Sequence, residues 1–82
     1  MKKFITYILK SEKIDKFYIG YTSDIEKRIL KHNNGSSNWT RKGIPWQITY
    51  TKSFETKAEA MEYEKFLKSL KNKNFLKKII AG

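Results

Sequence analysis

The sequence feature that most constrains the fold is the stretch of residues 17–35, which is FYIGYTSDIEKRILKHNNG. Its first residues are aromatic or β-branched, which favours a β-strand. Gly20 interrupts this strand, and a glycine inside a strand often lets another group approach the backbone closely. Ser23 and Glu26 then form the capping-box pattern, which predicts a helix over residues 23–34. The stretch therefore predicts a strand–turn–helix unit.

The predicted helix gathers two polar groups on one face. Arg28 and His32 are four residues apart, so their side chains lie one turn apart on the same side. Ile25 and Ile29 have the same spacing and supply an apolar stripe for packing. An Asn-Gly pair follows, and these residue types tolerate the left-handed backbone that ends many helices.

Two further strands are predicted. Residues 3–10 are almost continuously apolar, which indicates a strand covered on both faces. This strand and the one that starts at Phe17 are close in sequence, so an antiparallel hairpin is the simplest pairing. Residues 46–54 alternate between apolar and polar types, which predicts a third strand. The residues expected on one face of that strand are Trp46, Ile48 and Tyr50.

Two further helices complete the predicted elements. Thr56 and Glu59 form a second capping box, followed by a helix to about Leu70. Asn72 is expected to cap a short helix over residues 73–80. The predicted fold class is α+β, with a small three-stranded, mainly antiparallel sheet flanked by helices. Residues 1–82 are expected to form one domain.

The formal charge of +10 points to a polyanionic partner. Nucleic acid is the first interpretation. The alternatives are an anionic membrane surface, or a lysine content that only reflects an AT-rich coding genome. Lysines supply diffuse attraction to phosphate, whereas Arg28 and Arg41, the only arginines, suit a bidentate grip. The chain has no cysteine, which excludes disulfides and thiolate metal sites. No apolar run is long enough to span a bilayer, so no membrane association and a cytoplasmic location are expected.

The stretch resembles the second signature of the GIY-YIG nuclease superfamily. Tyr18 and Gly20 stand in the Tyr-Ile-Gly triplet, and Arg28 and His32 follow on the helix, as in that family. The first signature ends in a tyrosine, for which Tyr7 lies at the expected distance. The glycine that the family places before this tyrosine is absent, because the local sequence is Ile-Thr-Tyr. The chain is most similar to the small stand-alone bacterial members.

This resemblance implies a metal-dependent endonuclease that acts on DNA, with a role in DNA repair or recombination. Tyr7 is implied to activate the attacking water and Tyr18 to orient phosphate or solvent, although the reverse assignment stays open. Arg28 is implied to neutralise charge on the phosphate, and His32 to relay a proton or hold Tyr7. Gly20 is expected to let the substrate backbone come close to the strand. Some family members carry a lysine just after this glycine, and this chain has Tyr21 at that position.

A single carboxylate is the candidate metal ligand. Glu64 lies at the shoulder of the apolar stripe of its helix, whereas Glu62 points away from it. A carboxylate beside a buried face needs a positive partner, so Glu64 is expected to hold one Mg²⁺ or Mn²⁺ ion. The alternative for Glu64 is an ordinary ion pair with Lys68 at the next turn.

Residues 35–43 are expected to form a polar loop or a short irregular helix that contacts the substrate. Thr40, Arg41 and Lys42 are the candidate substrate-binding residues, and Trp39 is expected either to stack on a base or to cover the core. Asn72 and Asn74 are further candidates for the site, with helix capping as the alternative role of Asn72.

The sequence also fits two alternatives to a nuclease. One is a non-catalytic nucleic-acid-binding module, and the other is a subunit of a larger DNA-processing complex directed by a protein partner.

Overall fold

The computed structural model describes residues 3–35, 40–70 and 72–82, which form one three-stranded sheet and three helices. The strands are β1 (Phe4–Ser11), β2 (Lys16–Thr22) and β3 (Trp46–Phe54). The helices are α1 (Ile25–Asn33), α2 (Lys57–Ser69) and α3 (Lys73–Ala81). A short 3₁₀ turn, Arg41–Gly43, precedes β3. The predicted α+β fold is confirmed, including the order of its elements.

The first strand lies at the centre of the sheet. The strand order is β2-β1-β3, and β1 pairs antiparallel with both neighbours. β2 follows β1 as a hairpin, as the short connection predicted, and it is an edge strand. β1 is therefore the strand whose side chains are covered on both faces, in agreement with its continuous apolar sequence.

The two faces of the sheet form two cores. On one face, Tyr7, Leu9 and Trp46 are buried and pack with the apolar side of α1, including Ile25 and Ile29. On the other face, Ile8 packs with side chains from α2 and α3, of which the buried ones are Leu67 and Leu76. The Thr6 hydroxyl donates to the carbonyl of Ala60 at 2.8 Å, which ties β1 to α2. The helices thus lie on both sides of the sheet.

A bulge corrects the predicted facing of β3. Ile8 pairs with Tyr50 and Leu9 with Ile48, so one step along β1 matches two steps along β3. Trp46 therefore packs on the α1 face and Tyr50 on the α2 face, and Ile48 is exposed. The prediction that these three residues share one face was wrong, because a bulged residue shifts the alternation.

The beginning of α1 also differs from the prediction. Asp24, and not Ser23, is the N-cap, and its carboxylate accepts a hydrogen bond from the Lys27 backbone N–H at 3.2 Å. Two overlapping cap patterns are present, and the Thr22 hydroxyl selects the second by accepting from the Asp24 N–H. Gly35 has φ +82°, so the predicted left-handed residue follows the helix end.

The caps of the other two helices agree with the sequence. Thr56 and Glu59 form the full capping box at the start of α2. The Asn72 side chain accepts from the Asn74 N–H at 2.8 Å and caps α3. Among the described residues, no helix is long and apolar enough to cross a bilayer.

Candidate active site

A pocket of about 370 Å³ opens beside the edge strand β2, between α1 and α2. It brings together side chains from the two signature strands and from both flanking helices. Five residues predicted for the site contribute to its walls, namely Tyr7, Tyr18, Gly20, Arg28 and Glu64. These groups are far apart in sequence, so the fold rather than local spacing creates the cluster.

The β1–β2 register explains the positions of the tyrosines and the glycine. Tyr7 pairs with Gly20, and Tyr18 lies diagonally from Tyr7, with 6.5 Å between the ring centroids. A Cβ atom added to Gly20 would lie 2.6 Å from the Tyr7 hydroxyl oxygen and 2.8 Å from the ring carbon that bears it. Gly20 therefore makes room for the Tyr7 phenol. Its predicted use, close approach of the substrate backbone, remains a prediction, because the Tyr7 side chain occupies this space.

Helix α1 holds the arginine and the histidine one turn apart. Ile25 and Ile29 pack its apolar side against the Tyr7 core, which fixes the rotation of the helix. Arg28 lines the pocket, whereas His32 is buried at 4% exposure. Arg28 and His32 thus lie on the same face of α1, as their spacing predicts, but His32 is more deeply buried than Arg28.

His32 lies in a buried chain of hydrogen bonds. Its Nε2 atom is 3.3 Å from the Tyr7 hydroxyl, and its Nδ1 atom is 3.1 Å from the Thr40 hydroxyl. The indole N–H of Trp46 donates to the Thr40 carbonyl at 2.6 Å. The imidazole thus joins the Tyr7 phenol to the segment before β3, and its orientation is set from both sides.

Burial governs the protonation of this buried pair. Desolvation raises the pKa of the Tyr7 phenol, and the charge and hydrogen bond of Arg28 offset only part of this effect. Burial also lowers the pKa of His32, and the positive charges of Arg28 and Lys31 lower it further. At neutral pH Tyr7 is therefore a neutral phenol and His32 a neutral imidazole, a pair able to share one proton.

The tyrosines differ in their access to solvent. Tyr7 is 1% exposed, although part of its phenol borders the pocket. Tyr18 is half-buried, and its ring lies edge-on to the imidazole of His32 with 4.7 Å between centroids. Tyr18 therefore presents more of its surface to a pocket ligand than Tyr7 does.

Glu64 projects from α2 into the same pocket. Its side chain is 18% exposed and forms an ion pair with Lys68 at 3.4 Å, while Glu62 two residues earlier is exposed. The predicted lysine pair and the predicted pocket position thus occur together. An ion pair with an exposed lysine is weak, so the Glu64 carboxylate remains able to bind a divalent cation.

The donor set of the pocket suits a hard divalent ion held by few protein atoms. Among the described residues, no group of three or more His, Cys, Asp or Glu side chains could hold a metal. Mg²⁺ typically keeps several waters and uses one or two carboxylates together with substrate phosphate. Glu64, in an open pocket that also carries Arg28, fits this pattern with one carboxylate.

The three named residues of the predicted substrate-binding loop are described by the structure and lie outside the described walls of the pocket. Thr40 is fully buried. Its hydroxyl contacts the imidazole of His32, and its carbonyl accepts a hydrogen bond from the indole N–H of Trp46. Arg41 is exposed and donates two hydrogen bonds to the Gly35 carbonyl. Lys42 is exposed as well, and none of these residues contributes to the described walls of the pocket. Their roles in binding substrate remain predictions.

Three further candidates from the sequence are Trp39, Asn72 and Asn74. Trp39 falls outside the described residues, so neither of its predicted roles is tested. Asn72 caps α3 and Asn74 is exposed beside it, and neither contributes to the described walls of the pocket.

Sequence reasoning missed part of the pocket wall. Phe4, Tyr21 and Lys57 also line it. Tyr21 stands where the family places a lysine, which could have drawn attention to it. Lys57 is an ordinary first residue of a helix, and nothing in its local sequence connects it with β2.

The sequence profile of the GIY-YIG catalytic domain matches residues 3–78 of the chain. The chain is similar to a UPF0213 protein of Staphylococcus saprophyticus, with 42% identity over 83 residues and 100% of each chain covered. It is 45% identical over 58 residues to a UPF0213 protein of Bacillus licheniformis, which covers 70% of this chain and 60% of the relative. The profile match spans every pocket residue described above.

A solved structure has a similar architecture. The solution NMR structure of a UPF0213 protein from Bacillus halodurans superimposes with a TM-score of 0.57 and 32% sequence identity. The superposition covers 96% of this chain and 83% of that chain.

Proposed function

The chain belongs to the GIY-YIG family of nuclease domains, and on that premise we propose that it is an endonuclease that hydrolyses phosphodiester bonds in DNA. The observation that carries this proposal is that Tyr7, Tyr18, Arg28 and Glu64 meet in one pocket. Phosphodiester hydrolysis needs an activated water, stabilisation of negative charge on the phosphate oxygens and help for the leaving oxygen. Each requirement has a matching group in this pocket.

Arg28 is the group that stabilises charge on the phosphate. A guanidinium presents its N–H donors in a rigid fork that matches two oxygens of a phosphate. Arg28 is held by α1 at the pocket wall. It therefore binds the scissile phosphate through its non-bridging oxygens, where negative charge develops during attack.

Tyr7 and His32 activate the water together. The neutral phenol accepts a proton from the attacking water while it passes its own proton to Nε2 of His32, 3.3 Å away. In this arrangement Nδ1–H of His32 donates to the Thr40 hydroxyl, which leaves the Nε2 lone pair facing Tyr7. The hydroxide forms the new P–O bond, and the bond to the 3′ oxygen breaks. Water then protonates the departing oxygen.

Tyr18 orients the substrate. Its half-buried ring borders both the pocket and the imidazole, so its hydroxyl is suited to hold phosphate or the attacking water. The contact of the Tyr7 hydroxyl with His32 favours Tyr7 in the proton transfer, and the greater exposure of Tyr18 favours Tyr18 in the positioning role.

GIY-YIG nucleases generally use a divalent metal ion. Glu64 is the residue that would hold Mg²⁺ or Mn²⁺ in this chain. The bound ion would polarise the phosphate and stabilise the leaving 3′ oxygen as a Lewis acid. The ion pair with Lys68 orients the Glu64 carboxylate.

The substrate is expected to be recognised by its shape. An 82-residue chain offers little surface for reading base sequence. Its charge of +10 gives strong, salt-sensitive attraction to DNA of any sequence. A branched, damaged or single-stranded feature, or a protein partner, then directs cleavage, which is consistent with a role in DNA repair or recombination.

One observation favours a second function, a DNA-binding module without catalysis. Tyr7 is almost completely buried, and burial raises the pKa of its phenol, which opposes its use as a base. A non-catalytic module would bind DNA in a salt-sensitive manner and would produce no metal-dependent nicks.

Nicking of supercoiled plasmid and of branched DNA tests the proposal. We expect nicks in Mg²⁺ or Mn²⁺ and none in EDTA, because the leaving oxygen and the phosphate need the ion. The Glu64→Gln variant should lose the activity while it retains the parent's circular dichroism spectrum. Equal nicking by the parent and this variant would point to a contaminating nuclease. Salt-sensitive binding without nicking would establish the second function instead.

A further inference from the structure

The proposed catalytic groups occupy only part of the pocket. Phe4, Tyr21 and Lys57 form a second portion of its wall and have no part in the mechanism described above. The pocket volume of about 370 Å³ exceeds what a phosphate group and one hydrated ion need. This remaining space has its own chemistry, which differs from that of the catalytic portion.

Two aromatic rings give this portion an apolar wall. Phe4 lies on β1 and Tyr21 on β2, and strand alternation places both on the face opposite Tyr7. Both residues are half-buried and line the pocket. Exposed aromatic faces bind single-stranded nucleic acid by stacking on its bases, largely without regard to sequence.

A lysine lines the same pocket as the two aromatic residues. Lys57 is the first residue of α2, and its backbone position is fixed by the capping box of Thr56 and Glu59. Within the described part of the chain, the four ion-paired lysines are Lys3, Lys10, Lys68 and Lys73. Lys57 forms no such pair, so its ammonium group is available to a ligand of the pocket.

The combination suits an unpaired nucleotide. Aromatic faces match a base that has left its stack, and an ammonium group matches the phosphate on the far side of that nucleotide. A base that remains paired in a duplex does not offer its face in this way. Resting on the proposed function, we propose that Phe4, Tyr21 and Lys57 form a subsite for the unpaired nucleotide next to the scissile phosphate of single-stranded DNA.

The test is the binding of single-stranded DNA under conditions that prevent cleavage. A fluorescein-labelled oligothymidylate of about ten nucleotides is titrated in EDTA, and its anisotropy is followed at several NaCl concentrations. The variants are Tyr21→Ala, Tyr21→Phe and Lys57→Gln. Lys77→Gln removes the same charge from an exposed position on α3 and is the matched control.

The variants distinguish stacking on the Tyr21 ring from attraction of phosphate by the Lys57 charge. Tyr21→Ala should weaken binding about tenfold, and Tyr21→Phe should bind like the parent, because stacking needs the ring and not the hydroxyl. Lys57→Gln should lower the slope of log K against log salt by about 0.7, the value for one phosphate contact on a single strand. Lys77→Gln should leave that slope unchanged.

Three outcomes would overturn the subsite. These are equal binding by Tyr21→Ala and the parent, equal losses in Tyr21→Phe and Tyr21→Ala, or an unchanged salt slope in Lys57→Gln. Since binding is measured without cleavage, the result is independent of the nuclease proposal. If the parent nicks DNA normally but the variants bind like the parent, only the subsite proposal is wrong. If the variants show the predicted binding losses but the parent does not nick DNA, only the nuclease proposal is wrong.

Discussion

Replacing Arg28 with alanine is expected to slow DNA cleavage by about 10²–10³-fold, the usual effect of removing one group that stabilises transition-state charge. Arg28 lies at the pocket wall, and its positive charge also lowers the pKa of both Tyr7 and His32. Without this charge the pKa of His32 is higher, so the neutral imidazole that takes the proton forms only at higher pH. The rise of the cleavage rate with pH should therefore shift to higher pH. Single-turnover cleavage rates measured across a pH series test both effects.

The chain provides a matched control for this substitution. Arg41, the other arginine, is exposed and bonded to the Gly35 carbonyl outside the described walls of the pocket. Arg41→Ala removes the same charge and should change the rate far less than Arg28→Ala. Equal losses in the two variants would mean that Arg28 contributes only general attraction to DNA, and the assignment of its role would be wrong.

Replacing Gly20 with alanine should abolish DNA cleavage, although glycine has no side-chain functional group. The added methyl group would lie 2.6 Å from the Tyr7 hydroxyl oxygen, so the phenol must shift from its present position 3.3 Å from His32. A shift of about 1 Å in a catalytic group costs about 100-fold in rate. Overpacking in a well-packed core costs about 1–3 kcal/mol of stability. Cleavage rates and urea unfolding measure the two effects.

A double-mutant cycle with Tyr7→Phe separates the steric effect from other causes. The hydroxyl oxygen is the atom closest to the added Cβ, and phenylalanine lacks it. Gly20→Ala should therefore reduce stability less in the Tyr7→Phe background than in the parent. Additive losses would show that the glycine is needed for another reason, such as the predicted approach of the substrate.

Local patterns predicted most of the fold because each depends on neighbouring residues. The Thr56–Glu59 capping box, the Asn72 cap and the third strand at residues 46–54 were confirmed. The facing of β3 was not predictable, because the bulge depends on its pairing with Ile8 and Leu9 of a distant strand. The start of α1 was misplaced by one residue, since Ser23 and Asp24 are both good caps and a contact with Thr22 decides between them.

The pocket was predictable only as far as its signature residues. Tyr18, Arg28 and His32 lie in one continuous stretch, and the family pattern led to Tyr7 and Glu64. From the sequence, Thr40 is expected at the surface because it lies in a polar segment. In the structure it is buried and hydrogen-bonded to His32 and Trp46. Lys57 joins the pocket only through the packing of α2 beside β2. Contacts between distant segments leave no local signal at either residue.

The most direct test of the central claim is to locate a bound Mn²⁺ ion by its paramagnetic broadening of amide signals in the ¹⁵N-labelled protein. The claim is that Glu64 and the signature residues share one pocket that holds a divalent ion. Broadening should centre on the amides of Tyr18, Gly20 and Glu64, persist in Glu62→Gln and disappear in Glu64→Gln. Broadening that centres on another part of the chain, or that is equal in Glu64→Gln and the parent, would contradict the claim.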